Sequence, residues 1–263
     1  MKYIFFIVMP MVLSAQVHYA KVEPFERVTL KAAVSGEVVD ANLSAEGETP
    51  KRSRIIHIDD ALDRINLSNA HKSLDLIKKM LDINQESAKS LKESMTRLRA
   101  SYERIKGLST ASKSQKDSAY NSYASAKTQY LATREKIETL KKQILDTQYR
   151  IAQLQDTIAK KSIYLDGRYL NALLVRKGDF VAPGTPLAKI DDLRQGKLVL
   201  FLDPEEVENI SDKAVYLDDN RTDYKIDKVW RVADEKYISS YRAEIYLPKS
   251  PELFSKLIKV EIK

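Results

Sequence analysis

Two heptad ladders dominate the pattern of apolar and polar positions along the chain. The first runs Leu67, Ala70, Leu74, Ile77, Leu81, Asn84, Ala88, Leu91, Met95, Leu98, Tyr102 and Ile105. The second runs Ala119, Tyr123, Ala126, Tyr130, Thr133, Ile137, Leu140, Ile144, Thr147, Ile151, Leu154 and Ile158. Both keep the alternating three-then-four spacing of a coiled-coil seam. A strict seven-residue repeat holds one stripe against a partner helix and imposes a left-handed supercoil. A short polar break separates the ladders, so the natural partner of each helix is the other. The pattern predicts an antiparallel hairpin with helices over about 60–107 and 114–163. Each arm would be roughly 65–75 Å long at ~1.5 Å per residue.

Proline and glycine agree with these limits. No proline stands between Pro50 and Pro183, and Gly107 marks the break. Proline inside a helix costs ~3 kcal/mol and glycine ~1. Facing a-type against d-type positions sets Tyr102 opposite Ala119, Leu98 opposite Tyr123, Leu81 opposite Leu140 and Leu67 opposite Leu154. The turn then falls near Thr110 and Ala111. The next register in phase would bring Ile105 to Tyr123. Asn84 is the polar exception in the first ladder, a residue expected to fix register.

Outside the ladders the period changes to two. Short strands are expected at 28–32, 36–39, 173–175, 197–202, 224–232, 241–247 and 257–262, rich in β-branched and aromatic residues. Asp203-Pro204-Glu205-Glu206 has the cap, proline and early acids of a helix start. An internal repeat brackets the helices. Glu46-Gly47-Glu48 is followed by Ile58-Asp59-Asp60, and Lys177-Gly178-Asp179 is followed by Ile190-Asp191-Asp192. One small β-unit reads as cut at its midpoint, with the coiled coil inserted.

Composition narrows the chemistry. The 263-residue chain has no cysteine, so it can form no disulfide, thiolate metal site or cysteine nucleophile. A formal charge of +7 is modest beside a charged fraction of 31%. No basic block carries interleaved aromatics, so nucleic acid is not an expected partner. Met1, Lys2 and the apolar run that follows resemble a secretory signal peptide, too short to span a bilayer at ~20 residues. Its cut could follow Ala15 or Ala20. His18, His57 and His71 lack partners at metal-ligand spacing. No nucleophile triad, phosphate loop or paired-carboxylate cleft stands out, so neither an enzyme nor a cofactor is expected.

The sequence from Val34 through Val39, followed by Glu46-Gly47, resembles the first half of a lipoyl-like domain. The run from Val175 to Asp191, with Gly178, Pro183 and Gly184, resembles the second half. A split lipoyl-like domain with an inserted hairpin and a following β-barrel is the plan of periplasmic adaptors, the membrane fusion proteins of the HlyD type. The first half departs from the family pattern, because Pro50-Lys51-Arg52-Ser53 stands where a second glycine is usual. The fold class implied is α+β, elongated and multidomain. A signal peptide (1–20) precedes the first half of the lipoyl-like domain (21–59), whose N-terminal strand could join the barrel. The coiled-coil hairpin (60–164), the second half (165–195) and a small β-barrel domain (196–263) follow.

The resemblance also implies partners. In this family the hairpin tip meets a TolC-type outer-membrane channel through an Arg, a Leu four residues on and a Ser further along. Arg104, Leu108 and Ser114 match that motif, with the serine one residue early. An inner-membrane transporter, of resistance-nodulation-division or ABC type, and self-association into a hexamer are implied likewise, in the periplasm. The alternatives are an exported structural coiled-coil protein without a transporter, and a lipoyl or biotinyl carrier. For the latter, Asp212-Lys213-Ala214 matches the lipoyl tripeptide but lies outside both halves.

Overall fold

A computed structural model describes residues 16–233, 237, 239–248 and 254–263. The chain forms two compact units. One holds His57–Ile163; the other holds the residues before and after it.

The first unit is the hairpin. Helix α1 (Ala61–Gly107) and helix α2 (Lys113–Lys161) run 47 and 49 residues. Every fully buried side chain in them, Ala70, Leu74, Ala88, Ala126, Ile137, Leu140 and Ile151, lies on one of the two ladders. Ala70, Leu74 and Ile151 form one packed cluster with Leu67, Ile144 and Leu154 around them. Near the turn, Tyr102 packs on Tyr120 and Tyr123, one and four residues past Ala119. The Tyr102–Tyr120 contact lies one residue from the register that sets Tyr102 opposite Ala119. Asn84 does not reach across the seam. Its Nδ2 donates to the Met80 carbonyl one turn back at 2.7 Å, so its amide is satisfied within α1.

The opposite end of the hairpin is tied by polar contacts. His57 Nδ1 lies 3.1 Å from Ser162 Oγ, and Lys161 Nζ donates to Asp63 Oδ2 at 2.5 Å and to the Asp59 carbonyl at 2.6 Å. Asp60 is buried and paired with Arg64 at 2.7 Å. The Arg64 hydrogen bond holds its carboxyl below the usual range, against the opposing effect of burial.

The second unit is built on two long strands. Strand β1 (Val17–Lys31) and strand β7 (Pro186–Leu202) pair antiparallel from Val22↔Leu198 to Lys31↔Pro186. Both are far longer than the five or six residues of an ordinary strand. Two irregularities in the ladder, at Pro24/Glu26 and Leu30/Lys31, let the pair bend. Beyond Val22, β1 turns to pair with β12 (Leu257–Ile262) through Val17↔Glu261 and Lys21↔Leu257. The far half of β7 pairs with β11 (Tyr241–Leu247), which pairs with β10 (Lys228–Ala233). Strands β8 (Val215–Leu217) and β9 (Asn220–Arg221) complete the order β10-β11-β7-β1-β12-β8-β9, with β5 (Tyr169–Leu173) beside β7.

One apolar core packs the part of this sheet formed by the start of β1, the far half of β7, β8, β11 and β12. It includes Ala20, Val22, Leu198, Leu200, Leu202, Ile245, Val260 and Ile262. Strand β7 runs through residues 195 and 196 without interruption. Residues 224–227 are not strand; the expected strand there begins at Lys228. The strand expected at 173–175 is instead β5, which ends at Leu173. Its extent follows the pairing with β7 rather than the apolar run Leu173-Leu174-Val175.

A second sheet takes the order β4-β3-β2-β6, with β2 (Gly36–Ala41), β3 (Ser53–Ile58), β4 (Ser162–Leu165) and β6 (Phe180–Val181). Here the two halves of the split repeat meet. The Val38 amide donates to the Asp179 carbonyl and the Gly178 amide to the Val38 carbonyl, each at 2.8 Å. The Gly47 amide donates to the Leu170 carbonyl, and the Glu46 side chain accepts from the Leu173 amide. Gly47 and Gly178, the equivalent glycines of the repeat, both take positive φ (80° and 94°), a region that costs an L side chain strain.

Candidate functional site

The turn between the helices is short and tightly specified. Leu108 follows the last residue of α1, and its amide donates to the Ile105 carbonyl at 3.2 Å. Ser112 caps α2: its Oγ accepts from the Gln115 amide, and its own amide donates to Gln115 Oε1 at 2.9 Å. This reciprocal box satisfies two of the amides that a helix start leaves open. The chain reverses within residues 108–112, so the tip has little freedom to rearrange.

The three residues proposed from the motif all come to this end. Arg104 and Ser114 are exposed, one in the last turn of α1 and one in the first turn of α2. Leu108 is 53% exposed, an apolar side chain at the point of greatest reach. It borders an open groove of about 510 Å³ whose walls include Leu98, Ser101, Ile105, Gln115, Ser118, Ala119 and Ser122. Ser114 borders a second, shallower groove along α2 with Asp117, Ser118 and Ser122. Arg104 borders neither. The geometry thus joins Leu108 and Ser114 through a shared serine-lined surface and sets the arginine beside it.

The groove residues Ser101, Ser118 and Ser122 escaped the motif. The signal that could have found them is the four-residue spacing of Ser114, Ser118 and Ser122. Small side chains at that spacing leave a furrow along a helix into which a partner's side chains can lie. Arg104 and Lys106 stand at the C-terminal end of α1, where the helix dipole favours cations. Lys106 Nζ also sits 5.7 Å from the centre of the Tyr102 ring.

Other candidate chemistry is accounted for structurally. His18 Nε2 pairs with Glu206 Oε1 at 2.8 Å, and His57 lies 3.6 Å from Asp60. Among the described residues no group of three or more His, Cys, Asp or Glu could hold a metal ion. Lys213 donates its amine to the Glu206 carbonyl at 2.8 Å, so it is engaged in packing a turn. No helix among the described residues is long and apolar enough to cross a membrane.

Comparison with known proteins rests on structure. No family model and no curated protein matches the sequence. Several solved structures match over nearly the whole chain. The membrane fusion protein Spr0693 from Streptococcus pneumoniae R6 aligns with a TM-score of 0.64 at 10% identity, covering 94% of this chain and 99% of that one. MacA from Actinobacillus actinomycetemcomitans aligns at 0.63 and 16%, covering 94% and 78%. A MacA-MexA chimera containing the Pseudomonas aeruginosa MexA alpha-hairpin domain aligns at 0.57 and 18%, covering 95% and 81%. The chain therefore has the membrane-fusion-protein fold: a long helical hairpin carried by antiparallel β-structure.

Proposed function

We propose that the protein is a periplasmic adaptor that links an inner-membrane transporter to a TolC-type outer-membrane channel. It seals and couples the two without performing chemistry. The observation that carries this reading is the hairpin tip. A capped turn presents Leu108 beside a small-residue groove at the end of two helices of 47 and 49 residues. An apolar knob, an adjacent furrow and a flanking cation suit docking against another helical tip. The arginine would guide encounter more than it adds affinity. The membrane-fusion-protein fold supports the same assignment.

In this reading a signal peptide directs export, the β-structure faces the transporter, and the copies assemble as a hexamer around the conduit. The transporter is of resistance-nodulation-division or ABC type. The test is capture from cells that express the tagged chain beside its genomic neighbours. The chain should retrieve an outer-membrane channel and an inner-membrane transporter. Leu108→Asp with Arg104→Asp should lose the channel and keep the transporter. Capture of the channel at undiminished yield by that variant would overturn the tip assignment. Capture of neither partner by the parent chain would favour a structural coiled-coil protein.

A further inference from the structure

Four of the eight asparagines stand in the triplet Asn-x-Ser/Thr: Asn42, Asn66, Asn209 and Asn220. Serine and threonine together fill 33 of the 263 positions, so chance would give one such triplet among eight asparagines. In exported proteins this triplet accepts an oligosaccharide on the asparagine side chain. Two of the four also carry an aspartate two positions earlier, as Asp40-Ala41-Asn42-Leu43-Ser44 and Asp218-Asp219-Asn220-Arg221-Thr222. A carboxylate there gives a cation on a transferase a charged handle on the segment.

The fold sets both of these segments at exposed turns of the β-structure. Asn42 follows β2 and opens a single 3-10 turn, Leu43–Ala45. Leu43 and Ser44 are exposed, and Asp40 is half exposed. Ser44 Oγ donates to Asn42 Oδ1 at 2.7 Å, and Asn42 Nδ2 meets no acceptor among the described residues. Asn220 is exposed and directly follows the two-residue turn Asp218-Asp219 between β8 and β9. Both turn residues take positive φ, 49° and 66°, as the tightest hairpins require. Asn220 Nδ2 donates to the neighbouring Asp218 carbonyl at 3.0 Å, a local bond that an enzyme can replace. Strand β9 has two residues and ends its sheet, so this segment lifts off at little cost.

The other two triplets each lack one of these properties. Asn66 lies inside α1 beside the seam residue Leu67, so presenting it would unwind the coiled coil. Asn209 is exposed, but Val207, packed against the main core, stands where the other two have aspartate.

We propose that Asn42 and Asn220 are N-glycosylation sites, modified after export by a transferase that reads the aspartate before each asparagine as well as the hydroxyl after it. The donor is an oligosaccharide carried on a lipid diphosphate. The asparagine Nδ2 attacks the anomeric carbon of the first sugar. A C–N bond forms, and the bond from that carbon to the diphosphate oxygen breaks. The lipid diphosphate leaves with the bonding electrons, and the amide gives one proton to a base on the transferase. At Asn220 the glycan stands over the open edge of β9, where it would block pairing with another chain.

The inference rests on the export that the adaptor reading includes, and its test separates the two. The tagged full chain is isolated from the periplasm of the cells that make it, and its intact mass and glycopeptides are measured. Two glycan increments are expected, on the peptides that hold Asn42 and Asn220. Asn42→Gln and Asn220→Gln should each remove one. Asp40→Asn and Asp218→Asn should remove the same increments although asparagine and hydroxyl remain; Asp218→Asn keeps the oxygen that accepts from the Lys259 amide, so the turn is preserved. Asn209→Gln should leave the mass of its glycans unchanged. A periplasmic chain of unmodified mass overturns the inference, as does a glycan on Asn66 or Asn209, or increments that survive the aspartate substitutions. A chain that stays in the cytoplasm sinks the export in the adaptor reading; the same chain sent out behind a leader of proven function then decides the sites, and an unmodified mass there overturns them. A glycosylated chain that captures neither channel nor transporter sinks the adaptor reading alone.

Discussion

Val22 closes over Gly196 so tightly that a Cβ on the glycine would lie 2.9 Å from Val22 Cγ1. Both residues sit where β1 and β7 pass from one set of partners to another. Val22 is buried, so its side chain has little room to turn away. Gly196→Ala should cost ~1–3 kcal/mol through overpacking. Val22→Ala should also destabilise, by a cavity. Combined, the two should cost less than their sum, because each relieves the other. Additive losses in denaturant unfolding would show that this approach is not what demands glycine.

The hairpin was legible because its information is local. A heptad states its own period, and Pro50, Gly107 and Pro183 punctuate it. The long strands were not legible for the opposite reason. Along β7 the alternation breaks at Asp191-Asp192 and Gly196, which split it into apparent short pieces. Those aspartates are buried, and they are tolerated because Arg27, Asn171 and Arg194 meet them. Arg27 and Asn171 come from other strands, so no run of residues announces them, whereas Arg194 stands two residues on in β7 itself. At the tip, Leu108 and Ser114 could be read from a motif. The groove between them depends on how the two helices pack around Tyr102, which spacing alone does not specify.

Tyr102 stacks on Tyr123 with centroids 6.3 Å apart and planes 6° apart, and meets Tyr120 at 5.5 Å. Tyr102→Ala should remove ~0.5–1.5 kcal/mol of aromatic contact beyond the buried area. The loss should be local. Amide exchange should quicken between Leu98 and Tyr123 and stay unchanged around Leu74 and Ile151. Tyr102→Phe should retain most of the protection. Uniform acceleration along both helices would mean the hairpin opens as one unit.

Asp192 provides a pH-sensitive contact. Arg194 donates to it at 2.6 and 2.9 Å, and this hydrogen bonding holds the Asp192 carboxyl down to about 2. A carboxylate held below its unfolded value contributes stability that is complete above pH ~4 and lost as pH falls toward 2. Because Arg194 is largely exposed, solvent screening limits the contribution to ~1 kcal/mol. Asp192→Asn should flatten the acid limb of a stability–pH curve by that amount. An unchanged limb would place the acid sensitivity elsewhere.

The first strand sets a constraint on processing. Residues 17–20, inside the segment 1–20 expected to be removed on export, form ladder rungs with β12 from Val17↔Glu261 to Ala20↔Ile258. Ala20 is buried in the main core, and His18 pairs with Glu206 in a half-buried contact. A cut after Ala20 would strip these rungs and leave that edge of β12 unpaired from Ile258 to Glu261, with only Lys21↔Leu257 kept. A cut after Ala15 keeps them all. A chain beginning at Gln16 should therefore be more stable than one beginning at Lys21, by roughly 3 kcal/mol at ~1 kcal/mol per lost hydrogen bond. His18→Ala in the longer chain should lose only part of that difference, since the ladder persists. The intact mass of exported protein should correspond to Gln16 at the N-terminus. Equal stability of the two chains, or a mature start at Lys21, would show that these rungs are dispensable and that β1 functions from Val22 onward.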